Sequence, residues 1–204
     1  HEMHDYTLER LLRQRKTYTK QGAPTFSEDD CWGIFGDLTR GVRSFEERGV
    51  LHGDVQPCNV FVLGDKTLKL VDSCFINGQE SAFARRYNEL SYTAPLSPQA
   101  MACLPTGPSH ATFSKEKNDV WAIGLTTLMT LNNDDYNICY DWPNQTVNFD
   151  MIKNRLKKVN DMGYSANLVK TMASCLERGE NRRPTLSDLC KSISQRQTRS
   201  NYDS

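Results

Sequence analysis

The chain has 204 residues, of which 38% are hydrophobic and 25% are charged, the balance of a folded globular protein. Its 25 basic and 25 acidic side chains cancel, so we expect neither a nucleic-acid partner nor attraction to an anionic membrane. The longest apolar stretch, 120–131, contains Gly and Thr and is shorter than the roughly 20 residues that a bilayer crossing requires, so we expect no membrane insertion.

The first predicted element is a helix that follows almost directly on His1. Leucines at 8, 11 and 12 have the i, i+3, i+4 spacing of one helix face, and neither a cap nor a strand is predicted before them. We therefore expect the chain to be part of a longer polypeptide.

A second, long helix is predicted over 27–49. Ser27 and Asp30 have the spacing of a capping box at its start, and Gly49 suits its C-terminal cap. A break at 22–24 separates it from the first helix. Apolar residues at helical spacing predict its buried face, namely Trp32, Phe35, Leu38, Val42 and Phe45.

Two short strands, 60–63 and 68–71, follow and are joined by a turn at 64–66, which predicts a β-hairpin. Residues 72–113 are rich in Gly, Pro, Ser and Thr without periodicity, so we expect mostly loop there. After 118 the chain is apolar nearly all round, which is typical of a helix at the centre of a helical core.

A loop at 132–148 and three further helices, about 149–159, 165–177 and 185–196, complete the predicted order of elements. Ser165 and Thr185 are candidate N-caps for the last two helices. Residues 197–204 are expected to be a disordered tail. The predicted fold is mainly α, a helical bundle with a small β-hairpin.

The 7 cysteines show no C-x-x-C spacing, which argues against a zinc site and a disulfide framework. Their odd number leaves at least one thiol unpaired. We expect free thiols in a reducing compartment, hence a cytoplasmic protein. Association with the cytoskeleton or with a larger assembly is left open.

Polar residues lie on both sides of the predicted hairpin. The segment 52–59 reads His-Gly-Asp-Val-Gln-Pro-Cys-Asn, and 72–74 reads Asp-Ser-Cys. Carboxylate and amide oxygens suit a hard cation such as Mg²⁺, which phosphoryl transfer requires together with an oriented hydroxyl. The alternative is that Asp54 and Asn59 are turn residues beside Pro57 and that Asp72 caps a strand end.

These two segments resemble the catalytic loop H-R-D-L-K-P-x-N and the metal-binding D-F-G of eukaryotic protein kinases. Three later segments resemble the A-P-E box, the D-V-W-S-x-G helix start and the R-P-T motif of the same family, namely 92–96, 119–124 and 182–185. Asn59 lies 5 residues after Asp54, and Asp72 lies 18 residues after Asp54. Leu96 lies 24 residues after Asp72, and all three intervals are close to those of the family. The interval from Leu96 to Asp119 is longer than usual, and we place an insertion at about 103–113.

The resemblance covers essentially the whole chain and implies the C-terminal lobe of the protein-kinase-like α+β fold. It implies a hinge remnant at 1–4, the lobe at 5–196 and an activation segment at about 72–96. The segment 140–150, with 183–184, also resembles kinase-like proteins of ciliate protists.

The resemblance also implies a role for each matching residue. Asp54 would be the acid/base carboxylate, and Asn59 and Asp72 would be the Mg²⁺ ligands. His52, Asp119 and Arg183 would have structural roles. The hinge residues Glu2 and Met3 would contact the adenine of ATP through their backbone.

Several family residues are replaced in this chain. Gln56 stands where the catalytic-loop lysine would be, Gly53 replaces the loop arginine, and Ser73 and Cys74 replace the Phe and Gly of D-F-G. Leu96 replaces the glutamate that would pair with Arg183. The Gly-rich loop, strand lysine and helix glutamate of an N-terminal lobe are not found within this sequence.

These replacements favour a pseudokinase that acts as a binding or scaffold module in a larger protein or assembly. Protein partners are expected, including its own N-terminal lobe. The alternative is an ATP-dependent Ser/Thr-type protein kinase whose N-terminal lobe is missing from this chain. Whether the full protein is an enzyme is left open, and the expected cofactors are ATP and Mg²⁺ if any nucleotide function remains, otherwise none.

Overall fold

Helices dominate the computed structural model of this chain, which describes residues 6–18, 26–64, 67–71 and 81–200. These residues form eight α-helices, α1 Leu8–Tyr18, α2 Glu28–Glu46, α3 Ala82–Asn88, α4 Pro98–Cys103, α5 Lys115–Asn132, α6 Phe149–Asp161, α7 Ala166–Cys175 and α8 Leu186–Ser200. The prediction of a mainly α fold with a small β-hairpin, arranged like the C-terminal lobe of a protein kinase, is confirmed.

The hairpin lies within a three-stranded antiparallel sheet of order β1-β2-β3, with β1 Tyr6–Thr7, β2 Val60–Val62 and β3 Leu68–Leu70. In its register Val60 lies opposite Leu70, and Val62 opposite Leu68. Strand β1 was not predicted, and the expectation that no strand precedes the first helix is wrong. A two-residue strand is too short to show any alternation.

Helix α5 is the centre of the fold. It begins at Lys115, three residues before the predicted start, because the Oγ of Ser114 caps it by accepting from the Lys117 N–H at 3.2 Å. All residues from 118 to 132 are buried, so the prediction of a helix at the centre of the helical core is confirmed. Helix α7 crosses closely at Gly124, where an added Cβ would stand 2.5 Å from the Cβ of Cys175.

Helix α2 packs its predicted face against α5. The capping box is present, since the Ser27 Oγ accepts from the Asp30 N–H at 3.1 Å and the Asp30 carboxylate accepts from the Ser27 N–H at 3.1 Å. The helix ends at Glu46, and Gly49, with φ +76°, turns the chain away in a conformation that glycine tolerates.

The stretch predicted as mostly loop, 72–113, contains more regular structure than expected. Helices α3 and α4 and a 3₁₀ turn at Pro108–His110 all lie within it. Ser81 and Ser97 cap the two helices, each with its Oγ 3.3 Å from the backbone nitrogen three residues later. Helices this short span too few turns to show a hydrophobic period.

Two further strands, β4 Tyr140–Asp141 and β5 Thr146–Val147, pair within the stretch predicted as a loop at 132–148. Helices α6 to α8 lie close to their predicted positions. The predicted cap residues Ser165 and Thr185 accept from the N–H groups of Leu168 at 3.2 Å and Asp188 at 3.1 Å.

Helix α8 continues to Ser200, so the prediction of a disordered tail from 197 is wrong for 197–200. Gln and Arg in this stretch have good helix propensity, and a helix that has already formed adds residues readily. The predicted hinge remnant at 1–4 and the predicted break at 22–24 lie outside the described residues. In the described part of the chain no helix combines the length and apolar content needed to cross a membrane.

Candidate functional site

The segment 52–59 connects α2 to β2 and is fixed from two sides. The carboxylate of Asp119, in the second turn of α5, accepts from the Gly53 N–H at 2.9 Å (Oδ1) and 3.2 Å (Oδ2). His52 accepts from the Asp54 N–H at its Nδ1, 3.2 Å away, which leaves Nε2 to donate to the Val71 carbonyl oxygen at 2.9 Å. The predicted structural residues His52 and Asp119 thus hold the loop between α5 and the end of β3.

Gly53 has a local reason to be glycine. Its φ is +72°, a left-handed backbone conformation that costs free energy in residues with a Cβ. An added Cβ would stand 3.1 Å from the Cβ of Ser81, and the Gly53 carbonyl accepts from the Ala82 N–H at 2.9 Å. The start of α3 therefore lies directly against the position where the family has an arginine.

The carboxylate of Asp54 lies at the centre of a polar cluster. Its Oδ1 accepts from the Gln56 Nε2 at 2.6 Å, its Oδ2 accepts from the Asn59 Nδ2 at 2.9 Å, and the Tyr92 hydroxyl lies 2.9 and 2.8 Å from the two oxygens. The Arg85 guanidinium is 4.0 Å from Oδ2. The Asp54 side chain has no exposed surface. The structure thus brings together the side chains of Asp54, Gln56 and Asn59.

Gln56 uses both ends of its amide. Besides Asp54, its Nε2 contacts the Tyr92 hydroxyl at 2.6 Å, and its Oε1 lies 3.1 Å from the Tyr136 hydroxyl. That hydroxyl is also 3.0 Å from the Thr93 carbonyl oxygen. A neutral amide therefore takes the position of the family's lysine and links the loop to two tyrosines.

Asn59 is oriented by its own amide group. Its Nδ2 donates to the Asp54 carbonyl oxygen at 2.8 Å as well as to the carboxylate. Among the described residues its Oδ1 meets only the Cys58 thiol, at 3.7 Å, so it presents the kind of neutral oxygen that Mg²⁺ accepts. The second predicted ligand, Asp72, lies outside the described residues, as do Glu2 and Met3. The residue before Asp72, Val71, donates from its N–H to the Asn59 carbonyl oxygen at 2.9 Å.

Arg183 is 2% exposed and is satisfied without a carboxylate at 96. Its Nη2 donates to the Gln99 Oε1 at 2.6 Å, and its other N–H groups donate to the carbonyl oxygens of 117, 177 and 178. The guanidinium lies over the Trp121 ring, 5.0 Å from its centroid. Burial lowers the pKa of Arg183 to about 10.

Burial also changes the acid–base properties of two groups near the loop. It raises the pKa of Asp119 to about 7, although the N–H groups of Gly53 and His52 act in the opposite direction. It raises the pKa of the Tyr92 hydroxyl as well, and the neighbouring Asp54 carboxylate adds to this rise. Tyr92 is therefore a neutral hydrogen-bond donor at physiological pH.

The tyrosines of the cluster were not identified from sequence as site residues. Tyr92 reaches Gln56 from 36 residues away along the chain, and Tyr136 from 80. Tyr92 lies in a segment already compared with the A-P-E box, but nothing in its spacing indicates a contact with Asp54. Arg85 carries no sequence signal beyond its place in a stretch predicted as loop.

Comparison with known proteins supports the resemblance of this chain to protein kinases. The family described as "Protein kinase domain" matches residues 2–193. The chain is 24% identical over 163 residues, 79% of its length, to the "Membrane-associated tyrosine- and threonine-specific cdc2-inhibitory kinase wee-1.3" of Caenorhabditis elegans, and covers 22% of that protein.

Two other relatives are kinases as well. The chain is 24% identical over 54% of its length to the "Calcium/calmodulin-dependent protein kinase kinase cmkC" of Emericella nidulans, covering 21% of that protein. It is 26% identical over 60% of its length to the "Serine/threonine-protein kinase GRIK2" of Arabidopsis thaliana, covering 29% of it. The chain thus spans less than a third of each of these relatives. Because the family match extends over nearly its full length, the chain belongs to the protein kinase family.

Proposed function

We propose that this protein-kinase-like chain is part of a pseudokinase and serves as a binding or scaffold module in a larger protein or assembly. The observation that carries the proposal is Gln56, whose neutral amide lies 2.6 Å from the Asp54 carboxylate where the family has a lysine. Phosphoryl transfer depends on positive charge placed in advance at the transferring group. An amide donates a hydrogen bond there but supplies no charge.

The second candidate is an ATP-dependent Ser/Thr-type protein kinase. It is favoured by the contact between the Asn59 Nδ2 and the Asp54 carboxylate at 2.9 Å, which orients a predicted metal ligand beside the predicted acid/base group. The Arg85 guanidinium, 4.0 Å from Asp54, also brings one cation to the cluster. The same guanidinium lies over the Tyr92 ring, 3.9 Å from its centroid, within the predicted activation segment.

The remaining parts of the proposal follow from the family. Any retained nucleotide would be ATP with Mg²⁺, held by Asn59 and Asp72, with Glu2 and Met3 at its adenine. The expected partners are proteins, among them an N-terminal lobe. The expected location, the cytoplasm, follows instead from the cysteines, which we expect to be free thiols.

A nucleotide-binding and transfer experiment on the full-length protein tests the proposal. We would measure thermal shift with Mg-ATP and radiolabel transfer to a general protein substrate, for the wild type, Asp72→Asn and Asp54→Asn. We expect weak or no binding and transfer far below that of ordinary kinases. Turnover in the usual range of about 1 to 100 per second, lost in both variants, would overturn the pseudokinase proposal and establish the kinase alternative.

A further inference from the structure

The insertion at 103–113, which takes no part in the candidate site, packs against helix α3. Among the described helices, strands and turns, its 3₁₀ turn Pro108–His110 makes the most extensive contact with α3. Two aromatic side chains of α3, Phe83 and Tyr87, are four residues apart and therefore lie on one face of the helix. Each of them contacts a residue of the insertion.

The first contact joins Phe83 to Phe113, near the end of the insertion. The two rings meet edge to face, with centroids 5.0 Å apart and an angle of 64° between their planes, a favourable arrangement for an aromatic pair. Phe83 is buried by this packing and by the core of the lobe. Phe113 thus covers one half of the α3 face.

The second contact places the Tyr87 ring directly on the backbone of Gly107. A Cβ added at Gly107 would stand 2.8 Å from the nearest ring carbon of Tyr87, so any other residue at 107 would displace the ring. Gly107 also has φ +76°, which glycine adopts without strain. The close approach of α3 to the insertion therefore depends on glycine at 107.

The insertion is a compact turn with hydrogen bonds of its own. The Thr106 hydroxyl and the Gly107 N–H both donate to the Cys103 carbonyl oxygen, at 3.0 and 3.1 Å. The His110 N–H donates to the Gly107 carbonyl oxygen at 3.2 Å. Because these bonds close within the turn, the insertion offers α3 a surface whose shape does not depend on α3 itself.

Helix α3 needs such support from outside. It has 7 residues, whereas isolated helices shorter than about 12–15 residues are marginal in water. Its start is attached to the loop of the candidate site, since the Ala82 N–H donates to the Gly53 carbonyl at 2.9 Å. A second support comes from Trp142, whose ring centroid lies 4.8 Å from the Arg86 guanidinium.

We propose that the insertion at 103–113 is a brace that keeps α3 folded against the lobe and thereby holds the start of α3 at Gly53. Loss of the brace unfolds α3 and frees Gly53 on that side, while the helical core stays folded. The inference goes beyond the proposed function, because it holds for a pseudokinase and for an active kinase alike.

Amide hydrogen exchange of the full-length protein, measured by mass spectrometry of its peptides, tests the brace. We expect Phe113→Ala and Gly107→Ala to speed exchange in α3 several-fold. Trypsin should also cleave after Arg85 and Arg86 several-fold faster in both variants, because cleavage requires the helix to open locally. Exchange in α5 should stay at the wild-type rate, which shows that the core remains folded.

Two matched controls separate the brace from general destabilisation. Phe149→Ala removes another edge-to-face pair of a partly buried phenylalanine, with Trp121 at 6.0 Å, far from α3 in the sequence. Gly163→Ala places a Cβ on a left-handed glycine, φ +88°, with no atom within 4 Å of it. Neither control should change exchange in α3. Phe113→Leu, a milder change, replaces any variant in which α5 also exchanges faster.

Two results would overturn the brace. One is exchange in α3 at the wild-type rate in both Phe113→Ala and Gly107→Ala. The other is faster exchange in α3 in Trp142→Ala alone, which would assign the support of α3 to the contact with Arg86. Neither measurement involves nucleotide, so ordinary turnover by the wild type would overturn the proposed function and leave the brace standing.

Discussion

Arg183 and Gln99 are joined by a hydrogen bond of 2.6 Å between Nη2 and Oε1, at a place where the family resemblance implies an arginine–glutamate pair. Gln99 lies three residues after Leu96, the residue that replaces the glutamate, and Leu96 itself is fully buried. The Leu96 carbonyl accepts from the Tyr140 hydroxyl at 2.7 Å. A neutral amide in the first turn of α4 thus accepts from the guanidinium where the family has a carboxylate.

We predict that Gln99→Ala lowers the free energy of unfolding by about 1–3 kcal/mol, the usual cost of leaving a buried donor unsatisfied. Gln99→Glu should change it by less than about 2 kcal/mol, because the Coulomb attraction to the guanidinium is offset by the desolvation of the new charge. Urea denaturation of the three proteins measures both effects. Equal stability of Gln99→Ala and the wild type would show that backbone carbonyls alone satisfy Arg183.

We predict that Gly53→Ala destabilises the fold by more than the roughly 1–2 kcal/mol that a left-handed conformation costs an L-residue. The added Cβ would meet the Cβ of Ser81 at 3.1 Å, so α3 would have to shift. Gly163→Ala is the matched control, because Gly163 has φ +88° but no atom within 4 Å of an added Cβ. If both substitutions cost the same in thermal denaturation, the contact between Ser81 and the loop adds nothing.

The parts of the fold that could be predicted are those in which local sequence and burial give the same signal. Ser27 and Asp30 specify a helix start whatever surrounds them, and the residues after 118 are apolar on all sides because α5 is packed on all sides. Helices α3 and α4 could not be predicted, since each has only about two turns, too few to show a hydrophobic period.

In the candidate site, too, some contacts could be predicted from the sequence and others could not. Asp54, Gln56 and Asn59 lie within six residues, so their meeting follows from one short loop. Tyr92 and Tyr136 meet that loop only because α3, α5 and the turn after α5 pack around it. Such contacts are set by tertiary structure and leave no periodic or spacing signal along the chain.

We predict that ionisation of Asp119 makes the protein less stable as the pH rises. Burial raises the pKa of this carboxyl to about 7 from the 3.8 of an exposed group, with smaller contributions from Asp54 and Glu116. Between these two pH values the folded state binds the proton and the unfolded chain releases it. The contribution of Asp119 to the free energy of unfolding should therefore fall from about pH 4 to about pH 7.

Urea denaturation of the wild type and Asp119→Asn at pH 5 and pH 8 measures this contribution. The two proteins share their other titrating groups, so the change in their stability difference reports on Asp119. We expect the wild type to lose stability relative to Asp119→Asn on going to pH 8. A difference that stays constant would show that Asp119 is ionised throughout, with the Gly53 N–H outweighing the effect of burial.

The last prediction concerns Gln56→Lys, which restores the charge that the family has at this position. The Gln56 Nε2 is 2.6 Å from the Asp54 Oδ1, so a lysine there would form a buried ion pair. We expect the free energy of unfolding to change by less than about 2 kcal/mol, since attraction and desolvation largely cancel in such pairs.

Radiolabel transfer by the full-length protein should increase in Gln56→Lys by up to about a hundredfold, the effect commonly measured for one preorganised group at a developing charge. Gln56→Met is the control for size, because methionine has a similar length but neither a charge nor a strong donor. It should give no increase and should lower stability, since the Tyr136 hydroxyl then loses Gln56 as an acceptor while Asp54 loses a donor. An equal response of the methionine and lysine variants would show that positive charge at this position does not limit transfer.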